Sequence, residues 1–313
     1  MIFLRIATAL LACVVALSIA DPGDAAVTVP QYKATILHRV GFEHTLADGI
    51  SGDIQVGNGS GPATAEERHA LLWSGTEANV VDLNPAGFIE SRATAVVGKR
   101  QVGYGFGPAT NGQTHALAWS GTAESVVDLN PIGFNYSEAL GAFGSTQVGY
   151  GRGPATSGLN RALLWTGNAE SVVDLSGRFI ESSAFGIYGE TQVGFGRLNP
   201  TVNDFYHALL WRGTANSVID LHPAGWDWSS AQGVWGASQV GVGRGILTTD
   251  GHFHALLWYG SAENMVDLNP VGFIFSAATG VAGETQVGYG RAPGRANHAL
   301  AWRGTAGSVV DLH

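Results

Sequence analysis

The sequence predicts an all-β, six-bladed β-propeller, and three observations carry that prediction. A tryptophan recurs six times at near-constant spacing, four short strand-like segments fill each interval, and glycine, asparagine and proline punctuate the boundaries. The tryptophans are Trp73, Trp119, Trp165, Trp211, Trp258 and Trp302, separated by 46, 46, 46, 47 and 44 residues. Self-similarity at such a period marks propeller blades or solenoid units. Repeats cover residues 34–313, so a single domain is expected there. Among 313 residues, 45 are glycine and 45% are hydrophobic, which describes a turn-rich packed body and excludes a disordered one. With a formal charge of −9 and 13% charged residues, the chain lacks the basic footprint of a nucleic-acid partner.

The first 20 residues read as a secretory signal: Arg5, an apolar run over residues 6–20, and a small-x-small site at Ser18-Ile19-Ala20. Residues 21–33 then form a short linker. The apolar run is shorter than the ~20 residues a membrane span needs, so no span is expected in the mature chain. Leu10-Leu11-Ala12-Cys13 loosely resembles a lipoprotein cleavage box, but the run continues well past the cysteine. Removal of the signal takes away the single cysteine, leaving an exported protein held by packing alone. The expected location is extracellular or at the cell surface, with the periplasm as the alternative.

Each unit runs Ser-x-Ala-x-Gly-Val, a tight turn, Gln-Val-Gly-Tyr-Gly, a variable stretch, His-Ala-Leu-Leu-Trp, a short turn, Ser-Val-Val-Asp-Leu, and Asn-Pro-x-Gly-Phe. The segments of 5 or 6 residues are β-branched and aromatic, too short for helices. In the last unit the strands are expected at 276–281, 285–290, 298–302 and 308–312. Runs such as Ala70-Leu71-Leu72-Trp73 are apolar on both faces and need a sheet covered on both sides. Small residues in the first strand (Ala93, Ala139, Gly141, Ala184, Gly186, Ala231, Gly233, Ala278, Gly280) place it at the crowded axis, with the others following outward. Both tight turns then fall on one end of the cylinder. The variable stretch and the crossover to the next blade fall on the other, and loops presented by a rigid scaffold are where function is sought.

A histidine and an aspartate recur 13 residues apart: His69 and Asp82, His115 and Asp128, His207 and Asp220, His254 and Asp267, His298 and Asp311, with Arg161 and Asp174 in the third unit. Pairing Trp119 with Glu124 across a four-residue turn sets His115 directly opposite Asp128. Such a cross-strand pair contributes roughly 0.2–1 kcal/mol and reads as structural. Residues 34–38 align with the fourth strand but carry Ile36 where the aspartate belongs, whereas the C-terminal segment has Asp311. The C-terminal segment is therefore expected as the outer strand of blade six, with 34–38 latched beside it as an extra edge strand.

Gly-Val-x-Gly-x-x-Gln-Val-Gly-Tyr-Gly, His-Ala-Leu-x-Trp and Val-Asp-Leu together resemble the extracellular HAF-repeat family of bacteria, named for a His-Ala-Phe tripeptide that here has Leu in third place. The resemblance covers about residues 34–313. It implies a secreted propeller-like protein and no defined enzyme or ligand.

A residue present in every blade serves the blade. That argument assigns Gln55, Gln101, Gln147, Gln192, Gln239 and Gln286 to the scaffold, and places Phe42, Phe88, Phe134, Phe179, Trp226 and Phe273 between blades near the long-loop face. Arg152, Arg197, Arg244 and Arg291 are different: they follow the second strand in units three to six only, where units one and two have Ser60 and Phe106. A one-sided arc of guanidinium groups suits carboxylate or sulfate; the competing reading pairs them with acids such as Glu181 or Asp227. Asp250, His252 and His254 make a D-x-H-x-H cluster, but His254 already belongs to the His-Asp series, so no metal site is expected. No Ser-His-Asp set, catalytic carboxylate pair or phosphate loop stands out, and no cofactor is expected. The reading is a monomeric, non-catalytic binding or scaffold module for an acidic polysaccharide or a surface protein. The alternatives are a glycan hydrolase or lyase with its site in the axial funnel, and a purely structural extracellular module.

Overall fold

The computed structural model describes residues 35–198, 205–245, 248 and 251–313, so the expected signal and linker, Ala34 and Asp250 lie outside the described residues. Six four-stranded antiparallel blades form a ring. In chain order their strands are His44–Ser51, Ile54–Ser60, His69–Ser74 and Val80–Asp82; Glu90–Val97, Arg100–Phe106, His115–Trp119 and Val127–Asp128; Tyr136–Phe143, Thr146–Arg152, Arg161–Trp165 and Val173–Asp174; Glu181–Tyr188, Thr191–Arg197, His207–Trp211 and Ile219–Asp220; Trp226–Trp235, Ser238–Gly245, His254–Trp258 and Val266–Asp267; and Phe275–Ala282, Thr285–Arg291, His298–Trp302 and Val310–Asp311. The fold is a six-bladed β-propeller.

Within each blade the strands follow sequence order, and the first strands of consecutive blades pack together from blade one to blade six, which makes them innermost. Each first strand carries a bulge, as between Ala93 and Ala95, that adds twist where the blades converge. The blades are welded by apolar clusters that always draw on two neighbours. Between blades one and two, Val56, Ala70, Leu72 and Leu83 meet Ala93, Val96, Leu117 and Trp119. Equivalent residues fill the next four interfaces. The crossover aromatics Phe88, Phe134, Phe179, Trp226 and Phe273 belong to these clusters.

Polar clips explain why the other repeated residues recur. The Gln101 carboxamide accepts from the Gly121 amide and donates to the Lys99 carbonyl, so one buried side chain ties the inner hairpin turn to the outer one. Gln147, Gln192, Gln239 and Gln286 make the same two bonds. At the opposite end, Ser91 Oγ accepts from the Ala70 amide of the preceding blade and donates to Asn84 Oδ1, whose Nδ2 donates to the Phe88 carbonyl. Buried polar groups satisfied in this way hold one arrangement of neighbouring blades.

In blade four His222 replaces that asparagine. Its ring reaches Ser229 Oγ at 2.7 Å and the Trp226 carbonyl at 2.9 Å, so the neutral tautomer protonated on Nε2 repeats the amide's one acceptor and one donor. It also stacks on His207 with centroids 3.9 Å apart. Burial first, and then His207, hold His222 below the ordinary histidine range. A folded pKa below the unfolded one gives stability that is complete above about pH 6.5 and declines as pH falls through that value. Thermal melts of His222→Asn, with the residue of Asn84, Asn130 and Asn269, should therefore lose less melting temperature than wild type between about pH 7.5 and about pH 5.5. An unaltered slope contradicts the assignment.

Three expectations are corrected. The aspartate lies opposite the residue two past the histidine, as in Leu117↔Asp128, because the 3₁₀ turn Ala123–Ser125 lengthens the outer hairpin. Residues 35–38 form no strand: Ile36 is 76% exposed, and Val310–Asp311 alone lies beside His298–Trp302 as the outer strand. Arg161 does not pair with Asp174, because its Nη1 donates to the Phe179 carbonyl while Asp174 Oδ1 accepts from the Ser176 amide.

Candidate functional site on the long-loop face

Strand alternation decides which side chains reach this face. Ser91, Ser137, Ser182, Ser229 and Ser276 point back to the preceding blade, where they accept an alanine amide. The first-strand residues on either side of each serine, and the second-strand residues in register with them, therefore lie on the opposite face of the blade, the one turned toward the following blade, although the long Arg92 side chain reaches back to Asp48 of blade one. These are the positions where the repeat varies. In blade three they are Tyr136, Glu138, Tyr150 and Arg152; in blade four Glu181, Ser183, Phe195 and Arg197; in blade five Trp228, Ser230, Val242 and Arg244; in blade six Phe275, Ala277, Tyr289 and Arg291.

Three arginines of the arc lie over aromatic rings. Arg152 sits 4.3 Å from the Tyr136 centroid, Arg197 5.2 Å from Tyr206, and Arg244 5.1 Å from Phe253, all within cation–π range. Arg197 is also committed to Glu181, with Nη2 at 2.5 Å from Oε2. Tyr206 donates to the same carboxylate at 3.1 Å. Burial, reinforced by the Glu181 charge, pushes the Tyr206 phenol up to about 12. Arg152, Arg244 and Arg291 take part in no ion pair among the described residues.

The opposite side of the ring is different. Asp48 binds Arg92 through both carboxylate oxygens, at 2.5 and 3.0 Å, and accepts from Asn58 at 3.2 Å. Burial works against the Arg92 charge, but the Asp48 hydrogen bonds and charge prevail and raise its pKa. This closed set carries no spare cation.

His69, His115, His207, His254 and His298 bond their aspartates Asp82, Asp128, Asp220, Asp267 and Asp311 through Nδ1 at 2.6–2.8 Å. Each aspartate's second oxygen accepts the amide two residues on, which belongs to a crossover in four blades and to His313 in blade six. The pairs therefore fasten the outer strand to the crossover. Of the D-x-H-x-H cluster, His254 bonds Asp267, and no group of three or more metal-ligating side chains occurs among the described residues.

The ring partners Tyr206 and Phe253 escaped the sequence reading. They stand immediately before His207 and His254, in a slot occupied by Arg68, Thr114, Asn160 and Asn297 in the other units. An aromatic in that polar slot was the available signal.

No family model matches the chain, and no curated protein matches it in sequence. Solved structures show the shared fold. A puromycin hydrolase is similar at TM-score 0.56 and 12% identity, over 88% of this chain and 46% of the hydrolase. An acylaminoacyl peptidase from Pyrococcus horikoshii is similar at TM-score 0.57 and 10% identity, over 84% of this chain and 43% of the peptidase. This chain thus spans somewhat less than half the length of either enzyme. At these identities the likeness concerns the fold alone, and folds host unrelated functions.

Proposed function

We propose that this protein is a secreted, non-catalytic binding module that holds an acidic surface glycan on its long-loop face. The observation that carries this reading is the repeated placement of an arginine over an aromatic ring at the variable positions of blades three to five. A guanidinium held over a ring loses less freedom when it binds, and its fork matches carboxylate and sulfate. The rings also offer apolar faces to sugars. In a chain of net charge −9, cations kept on one arc, with no ion pair among the described residues at Arg152, Arg244 and Arg291, serve an anionic ligand better than they serve the fold.

Calorimetry with dextran sulfate and neutral dextran tests it. Dextran sulfate should bind, with affinity falling several-fold as salt rises from about 20 to about 200 mM, and Arg152→Ala/Arg244→Ala/Arg291→Ala together should lose at least about tenfold. Salt-insensitive binding, or wild-type affinity in the triple variant, would sink the proposal.

A further inference from the structure

The interface between blades six and one differs from the other five. Apolar clusters fill the five covalently continuous interfaces, and the described residues form none at the sixth. Val287 is 36% exposed, whereas its equivalents Val56, Val102, Val148, Val193 and Val240 are fully buried. Ile50, on the facing side of blade one, is 42% exposed against 8–9% for Val96, Ile187 and Val234. Leu312 is half-buried where Leu83, Leu129, Leu175, Leu221 and Leu268 show no exposure. A Cβ added at Gly233 would approach the Thr279 carbonyl of the next blade at 3.2 Å, but one added at Gly280 meets only Val287 of its own blade. Thr45, at the place of the stitching serines, bonds His38 at 3.0 Å.

One wall of this seam continues the site already described. Tyr289 and Arg291, above Val287 on the same strand, and Phe275, in register with Arg291 on the first strand, occupy the variable face of blade six that points toward blade one. They close a run of half-buried rings: Trp228 to Phe253 at 5.2 Å, Phe253 to Phe275 at 6.5 Å, Phe275 to Tyr289 at 5.6 Å. Arg244 lies over Phe253, and Arg291 pairs in register with Phe275. Aromatic faces for sugar rings and cations for their acidic groups thus lead from blade five to the mouth of the seam.

We infer that the seam between blades six and one is the principal ligand site, and that it takes a segment of acidic polysaccharide whose sugars stack on Phe275 and Tyr289 while its carboxylates or sulfates meet Arg291 and Arg244. The inference rests on the binding reading above and gives it a location. Charge complementarity selects the occupant: an apolar peptide would leave both guanidinium groups unused, and a neutral glycan would use only the rings.

The test uses residues 21–313, which omit Cys13, with polygalacturonate as the probe. Phe275→Ala/Tyr289→Ala and, separately, Arg291→Ala should each weaken binding at least about tenfold, and Tyr136→Ala/Arg152→Ala in blade three by no more than about a third of that. Circular dichroism establishes that each variant is folded, and Arg291 is exposed, so its replacement reports on binding. A Val287→Cys reporter should react readily with a maleimide, and saturating polygalacturonate, but not dextran, should slow it at least about tenfold. Wild-type binding in the seam variants together with a larger loss in the blade-three variant overturns the location and leaves the binding reading standing. Absence of binding to both polygalacturonate and dextran sulfate overturns both. An unreactive Val287→Cys without ligand means the seam is shut and also overturns the inference.

Discussion

Replacing Gly194 with alanine should lower stability by about 3 kcal/mol or more and bring the melting temperature down by roughly 6–12 °C. The added Cβ would lie 1.9 Å from the Ser183 carbonyl oxygen and 2.9 Å from Ala184 Cα. Both obstacles are backbone of the paired first strand, beside the bulge between Ala184 and Gly186. No rotamer change relieves the overlap, so the two innermost strands must separate where blade four packs against its neighbours. That places the substitution at the severe end of overpacking effects. Urea denaturation and thermal melts measure the loss, and an unchanged melting temperature would contradict the close approach.

Trp211→Ala should cost about 3–5 kcal/mol, the range for truncating a large buried aromatic. Trp211 has no exposed surface and packs on Val148, Ala162, Leu164 and Leu175 of blade three as well as on its own blade. Its Nε1 is buried and has no hydrogen-bond partner among the described residues, as is true of all six repeated tryptophans. The residue therefore stabilises through volume and contact alone. It follows that Trp211→Phe, which removes the unpaired donor together with one ring, should cost less than half as much as Trp211→Ala. Equal losses for the two variants in urea midpoints would show that the indole nitrogen has a partner that matters.

The blade count, strand order, inner position of the first strand and interblade packing of Phe88, Phe134, Phe179, Trp226 and Phe273 were legible because each repeats, and repetition turns a weak local preference into a strong signal. Features set by a single turn were not. The 3₁₀ turn Ala123–Ser125 shifts the outer hairpin by two residues, and nothing in the alternation of Val127-Asp128 reports that shift. Arg161 looked complementary to Asp174 by charge, yet its length carries it past the carboxylate to the Phe179 carbonyl. The arc of arginines was legible as a departure from the repeat, whereas the rings under Arg197 and Arg244 were not, because Tyr206 and Phe253 come from a different strand pair. The seam was least legible of all. Val287 and Ile50 look like any core residue of a repeat, and only the missing neighbour distinguishes them.

The clips formed by Gln101 and its equivalents leave the short-turn end with a practical property. Lys99, whose carbonyl the Gln101 side chain grips, is the single lysine among the described residues, and it is exposed on that end. Once Lys33 is changed to arginine, side-chain amine chemistry on a bead or sensor surface has one address on the folded body. Coupling there would set every molecule down in the same orientation, with the arginines and the seam turned outward to meet what flows past.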